Sequence, residues 1–149
     1  MSWTNLVIRG RLFSCKKVAT YSSLHFVQFT EPPVFQEHPQ ASIQVTEAQI
    51  ATIRCVVTAE PLPTISWRFN GVTLNNNSRG GRVSYTSVET VKFELTSILT
   101  ITNTDYNVER GQYSCYASNS QGVINATTTL DVYSKTEFPS SFSWIPSLL

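Results

Sequence analysis

The sequence predicts an all-β fold, two antiparallel sheets packed face to face as a Greek-key sandwich, with irregular tails. Three observations predict it. Apolar residues recur at period two in short runs, turn residues punctuate residues 33–133 roughly every 8 to 12 positions, and no segment between them carries the helical period. Composition agrees. A chain of 149 residues allows one domain of ordinary size plus tails. Its apolar share of 41% is enough for one core, while its charged share of 14% falls below the roughly 25% usual for soluble domains. Serine and threonine supply the missing polarity, which suits strands and loops better than exposed helices, where Glu and Lys do the solubilising.

Charge divides the chain. Residues 1–32 carry Arg9, Arg11, Lys16 and Lys17 against Glu31, whereas residues 33–133 hold more acid than base. Three segments are therefore expected: 1–32 as a poorly ordered leader or remnant of a preceding domain, 33–133 as the sandwich, and 134–149 as a tail. Pro32 and Pro33 mark the first boundary as an extended connector. A short edge strand is expected at 43–45. Residues 50–57 come next, with Ala51, Ile53, Cys55 and Val57 on one inward face. Pro61 and Pro63 end that strand, and 64–70 forms another, with Ile65, Trp67 and Phe69 sharing a face. Asn70-Gly71 signals a tight turn, because both residues tolerate positive φ. The asparagine run and the Gly80-Gly81 pair make 75–81 an exposed, mobile loop. A short edge strand over 82–87 precedes a long one over 92–102, with Leu95, Leu99 and Ile101 to one side. Strands at 111–118 and 123–132, joined by the turn 119–122, complete the set.

Cys15, Cys55 and Cys115 make an odd count. The last two fall on inward strand faces 60 positions apart, which reads as a long-range pair. The alternative is two buried thiols in a reducing compartment. Trp67 stands twelve positions after Cys55, and Tyr113 stands two before Cys115 within Glu109-Arg110-Gly111-Gln112-Tyr113-Ser114-Cys115. With Pro61-Leu62-Pro63-Thr64-Ile65-Ser66-Trp67 and Ala117-Ser118-Asn119-Ser120-Gln121-Gly122, these residues resemble the immunoglobulin superfamily, in its I-set (intermediate) group. The resemblance covers about two thirds of the chain. It implies an immunoglobulin-like sandwich whose sheets are joined by a Cys55–Cys115 disulfide, with Trp67 packed on it and Tyr113 anchoring the corner into its strand. Closing so long a loop removes denatured-chain entropy worth roughly 2–5 kcal/mol. The resemblance also implies a salt bridge between Arg82 and Glu109, where the family usually has Asp. As an exposed pair it would contribute about 0–1 kcal/mol.

No catalytic or metal site is legible. His25 and His38 lie outside the sandwich or at its edge, no closely spaced Cys/His pairs occur, and no Gly-rich phosphate loop is present, so no enzyme activity and no cofactor are expected. The net charge of +1 gives no electrostatic ground for a nucleic-acid partner. No run approaches the roughly 18 apolar residues of a membrane span, so direct membrane insertion is not expected. After Lys17, Tyr21, Ser22, Ser23 and His25 break any apolar run of the secretory-signal kind. Asn76-Asn77-Ser78 and Asn125-Ala126-Thr127 are glycosylation sequons at Asn76 and Asn125.

The resemblance implies an extracellular or cell-surface recognition or adhesion module from a larger multi-domain protein, its partner a protein, homophilic or heterophilic. Arg68, Asn70, Gln112 and Ser114 alternate with inward residues and are the candidate partner face. Glycan on Asn125 would mask part of that sheet. Two readings stay open beside it: a structural spacer in an intracellular muscle-filament-type array, and the ligand-binding ectodomain of a receptor kinase or phosphatase. For Cys15 there are three readings. Phe13-Ser14-Cys15 with a strand-like 24–29 resembles the end of a preceding immunoglobulin domain, the dearth of acid before Glu31 fits a transit peptide, and the third is an unstructured leader with a free thiol. Phe138, Phe142, Trp144 and Ile145 in the tail show no periodicity.

Overall fold

Alternating apolar residues become strands wherever one face can be covered. The computed structural model describes residues 3–8, 11–16 and 30–135. Strands β1 (Trp3–Ile8) and β2 (Arg11–Lys16) form an antiparallel hairpin, from Trp3 opposite Lys16 to Ile8 opposite Arg11, within the segment read as a leader. The run 24–29 with His25, and the tail aromatics from Phe138 to Ile145, lie outside the described residues.

The sandwich is built from β3 (Glu31–Glu37), β4 (Ser42–Thr46), β5 (Ala51–Glu60), β6 (Thr64–Phe69), β7 (Val72–Thr73), β8 (Val83–Val91), β9 (Glu94–Ile101), β10 (Gly111–Asn119) and β11 (Gly122–Tyr133). One short helical turn, α1 (Ser78–Gly81), precedes β8. A four-stranded sheet has the order β3-β5-β9-β8, and a five-stranded sheet the order β4-β11-β10-β6-β7. The chain crosses between sheets from β3 to β4, β4 to β5, β5 to β6, β7 to β8 and β9 to β10, which gives the Greek-key sandwich.

Strand β3 departs from the sequence reading, because Pro32 and Pro33 lie inside it. Its ladder with β5 shifts register between Glu31 and Val34, so the pairing passes over the two residues that have no N–H to give. An edge strand tolerates this, and the strand starts at Glu31, ahead of the expected connector. Strand β4 runs parallel to β11, from Ser42 opposite Thr129 to Thr46 opposite Tyr133. Strand β8 reaches Val91, four residues beyond the expected end at 87.

The inward faces meet in a single core. Ile53, Val57, Leu99 and Ile101 from one sheet pack on Ile65, Trp67, Tyr113, Leu130 and Val132 from the other. Each such side chain gains about 1.5–3 kcal/mol on leaving water, and together they fix which face of every strand turns inward. The tight turn after β6 uses Asn70 at φ 46° and Gly71 at φ 83°, which closes the β6–β7 hairpin.

Candidate functional site

Beneath the candidate face lies the cross-link. Cys55 on β5 and Cys115 on β10 are joined by a disulfide with an S–S distance of 2.06 Å and their Cα atoms 6.8 Å apart. Trp67 pairs directly with Cys115 across β6 and β10, while Ser97 pairs with Cys55 across β9 and β5. The indole Nε1–H donates to Ser97 Oγ at 3.0 Å, so a hydrogen bond spans the two sheets beside the cystine. Both residues are fully buried. Ser97 was missed by the sequence reading because a small hydroxyl residue in a strand gives no apolar signal. Its position opposite Cys55 was the available clue.

Tyr113 is buried and its hydroxyl donates to Glu109 O at 3.0 Å, tying the entry of β10 to the turn before it. Burial pushes its phenol well above the ordinary tyrosine range; Arg79 and Arg82 nearby pull the other way, and Glu109 adds to the rise. Gly111, two residues earlier, has φ 153°, and a Cβ there would come within 2.8 Å of Asn70 Oδ1 and 2.9 Å of the Phe69 ring. A side chain here would be strained by the φ and would have to push the Asn70 amide or the Phe69 ring aside.

The Arg82–Glu109 pair needs a correction. Arg82 Nη2 lies 3.1 Å from Glu109 Oε1, but the carboxylate is fully buried, not exposed. Asp105 N–H donates to its Oε2 at 2.8 Å, Arg79 Nη1 stands 3.7 Å from Oε1, and Arg82 also reaches Asp105 Oδ2 at 3.8 Å. Glu109 Oε1 accepts no aligned hydrogen bond and is met by charge alone. The expected stabilisation of an exposed pair therefore does not apply, because removing one partner leaves an uncompensated buried charge. Arg79 was also missed. Its guanidinium lies 4.1 Å from the centroid of the Phe69 ring and donates to Val108 O, so the loop expected to be mobile is pinned to the core by its own arginine. Arg79 next to Gly80-Gly81 reads in sequence as ordinary loop polarity.

On the outer face of the five-stranded sheet, the strand registers align cross-strand rows. Thr73, Arg68, Ser114 and Thr127 form one row, and Ser66, Tyr116 and Asn125 form the next. Arg68 stacks on Tyr116 at 4.0 Å, and its Nε is buried without a hydrogen-bond partner. Ser114 and Thr127 share a hydroxyl hydrogen bond of 2.8 Å. Gln112 is exposed. Asn70 does not belong with these side chains: it sits in the turn beyond β6, and its Oδ1 accepts from Gln112 N–H at 2.9 Å. That oxygen is engaged by the turn, while the residue stays exposed. Tyr116 takes its place as the large group of the face. Both sequon asparagines are exposed, Asn76 in the loop after β7 and Asn125 on β11 directly opposite Tyr116.

Among the described residues, no group of three or more His, Cys, Asp or Glu side chains could hold a metal, and no helix is long and apolar enough to cross a membrane. A shallow cleft lined by Glu37, His38, Gln40, Ile43, Thr52 and Arg54 lies where the chain passes between the sheets.

Comparison with known proteins agrees with this geometry. Protein turtle homolog A from Mus musculus is 31% identical over 99 residues, spanning 66% of this chain and 7% of that protein. The neural cell adhesion molecule L1-like protein from Homo sapiens is 31% identical over 102 residues, spanning 68% of this chain and 8% of that protein. The chain thus corresponds to less than a tenth of either relative. Among solved structures, the I-band fragment I67-I69 from titin is 29% identical at a TM-score of 0.59, covering 69% of this chain and 33% of the fragment. The N-terminal Ig1-2 module of Drosophila receptor protein tyrosine phosphatase DLAR is 28% identical at 0.61, covering 72% of this chain and 52% of the module. A profile described as immunoglobulin domain matches residues 32–119. The chain belongs to the immunoglobulin domain family, as a two-sheet sandwich of the I-set type.

Proposed function

We propose that this domain is an extracellular protein-recognition unit of a longer surface or secreted protein. The cystine between Cys55 and Cys115 carries the reading, since such bonds persist in oxidising compartments and are rare in the cytosol. Kinship with a neural cell adhesion molecule supports it. Binding would centre on the stacked Arg68 and Tyr116, flanked by Gln112, Ser114 and Thr127. A planar cation on an aromatic ring, ringed by hydroxyls, offers a protein partner apolar area and donors at low entropy cost. Weak contact by one such face gains strength when tandem domains engage together. Glycan on Asn125 would stand beside Tyr116 and restrict how a partner approaches.

Non-reducing mass spectrometry of the chain recovered from its native compartment tests the location. A bonded pair is expected; free thiols at both positions overturn the reading and favour the second one, a spacer in an intracellular filament array, for which the likeness to titin speaks. The likeness to a receptor phosphatase module fits an ectodomain of a receptor enzyme, a variant of the first reading. Alanine at Arg68 and Tyr116 is expected to weaken partner binding, and unchanged binding removes this face.

A further inference from the structure

Strand β8 is the outermost strand of its sheet, and among the described residues no strand pairs with its far side. Of the other three edges of the sandwich, β3 contains Pro32 and Pro33, β7 has only two residues and β4 has five. Strand β8 has nine residues, no proline, no lysine and Glu89 as its one charge, with Val88 and Val91 exposed. Such an edge is a template for a second copy.

The loop before it occupies the first part of that edge. Asn77 N–H donates to Val83 O at 2.9 Å, and Asn76 Oδ1 accepts from Tyr85 N–H at 2.7 Å. Asn76 thus supplies, from a side chain, the carbonyl that a neighbouring strand would present. Period two turns the backbone groups of Ser87 toward the same open side. Asn76 is also the acceptor of a sequon. An N-linked sugar makes the side-chain amide a secondary amide, which like a peptide bond is trans, so the sugar carbon lies on the same side as the carbonyl oxygen. That oxygen faces β8.

We propose that Asn76 is an edge guard: its Oδ1 closes the backbone of Tyr85, and a glycan on its Nδ2 shields the remaining open edge at Ser87 to Val91 from pairing with a second copy of the chain. The glycan half rests on the extracellular reading; the hydrogen-bond half does not.

The test uses the whole chain secreted from eukaryotic cells. Peptide mass spectrometry is expected to find glycan on Asn76. Enzymatic removal, which leaves a carboxylate at position 76 able to accept the same bond, is expected to shift the protein from monomer to dimer or larger species in light scattering. Ser78→Ala, which abolishes the sequon, is expected to do the same, while Asn125→Gln leaves the monomer intact. Amide exchange at Tyr85 is expected to rise about tenfold in Asn76→Ala, the loss of one ordinary hydrogen bond, and to stay unchanged after enzymatic removal. A secreted, disulfide-bonded chain with unmodified Asn76, or a monomer indifferent to sugar removal, overturns the shield. Unchanged exchange in Asn76→Ala overturns the cap. Retention in the cytosol with free thiols overturns the extracellular reading and the glycan together, and the exchange measurement still decides the cap.

Discussion

Glu109 shows how one residue's environment resets its energetics. The motif and its arginine partner are legible in sequence, but burial is a property of the packed turn, in which the carboxylate meets Asp105 N–H, Arg82 and Arg79. Glu109→Ala is expected to cost about 3–5 kcal/mol in urea unfolding, as for a broken buried pair. A double-mutant cycle with Arg82 should give a coupling above the roughly 1 kcal/mol of an exposed pair; a smaller value would place the carboxylate in water. Tyr113 makes a second prediction. Its folded phenol holds its proton more tightly than the unfolded one, so its contribution is complete below the ordinary tyrosine pKa of about 10 and is lost as pH climbs beyond it. Thermal melts should fall with pH in that alkaline range, and Tyr113→Phe should flatten the fall while costing about 1 kcal/mol at neutral pH through the missing bond to Glu109 O.

At the level of elements, the long strands of the core were legible, while β3, β7 and the strand ends were not. Inward alternation identified β5, β6, β9, β10 and β11, because each buries one face and period two follows from that alone. Strand β3 escaped notice since prolines count against a strand unless it is known to be an edge, which only the assembled sheet reveals. The loop 75–81 escaped for the opposite reason: it does turn left-handed, at Asn77, Arg79, Gly80 and Gly81, yet Arg79 and Asn76 fasten it to neighbours distant in sequence. Where β10 begins beside the end of β6, Gly111→Ala is expected to cost about 1–3 kcal/mol, with the loss appearing as faster amide exchange in the Asn70–Gln112 pairing; a neutral result would mean the turn can yield.

For the molecule as a whole, the combination Cys55, Trp67, Tyr113 and Cys115 led to the sandwich class, because few arrangements let an indole reach across a thin core beside a cross-link. The proposed partner face draws on outward positions that alternation gives for Arg68, Gln112 and Ser114, but which rows align depends on register, and register sets Tyr116 beside Arg68 and leaves Asn70 in the turn beyond β6. The parallel pairing of β4 with β11 has a mechanical consequence. These two strands lie near opposite ends of the domain's sequence and run the same way, so tension between its ends, once β3 has parted, would drag them lengthwise past each other. The ladder from Ser42 and Thr129 to Thr46 and Tyr133 would then bear load in shear, all rungs at once, and the domain should resist stretching far better than peeling.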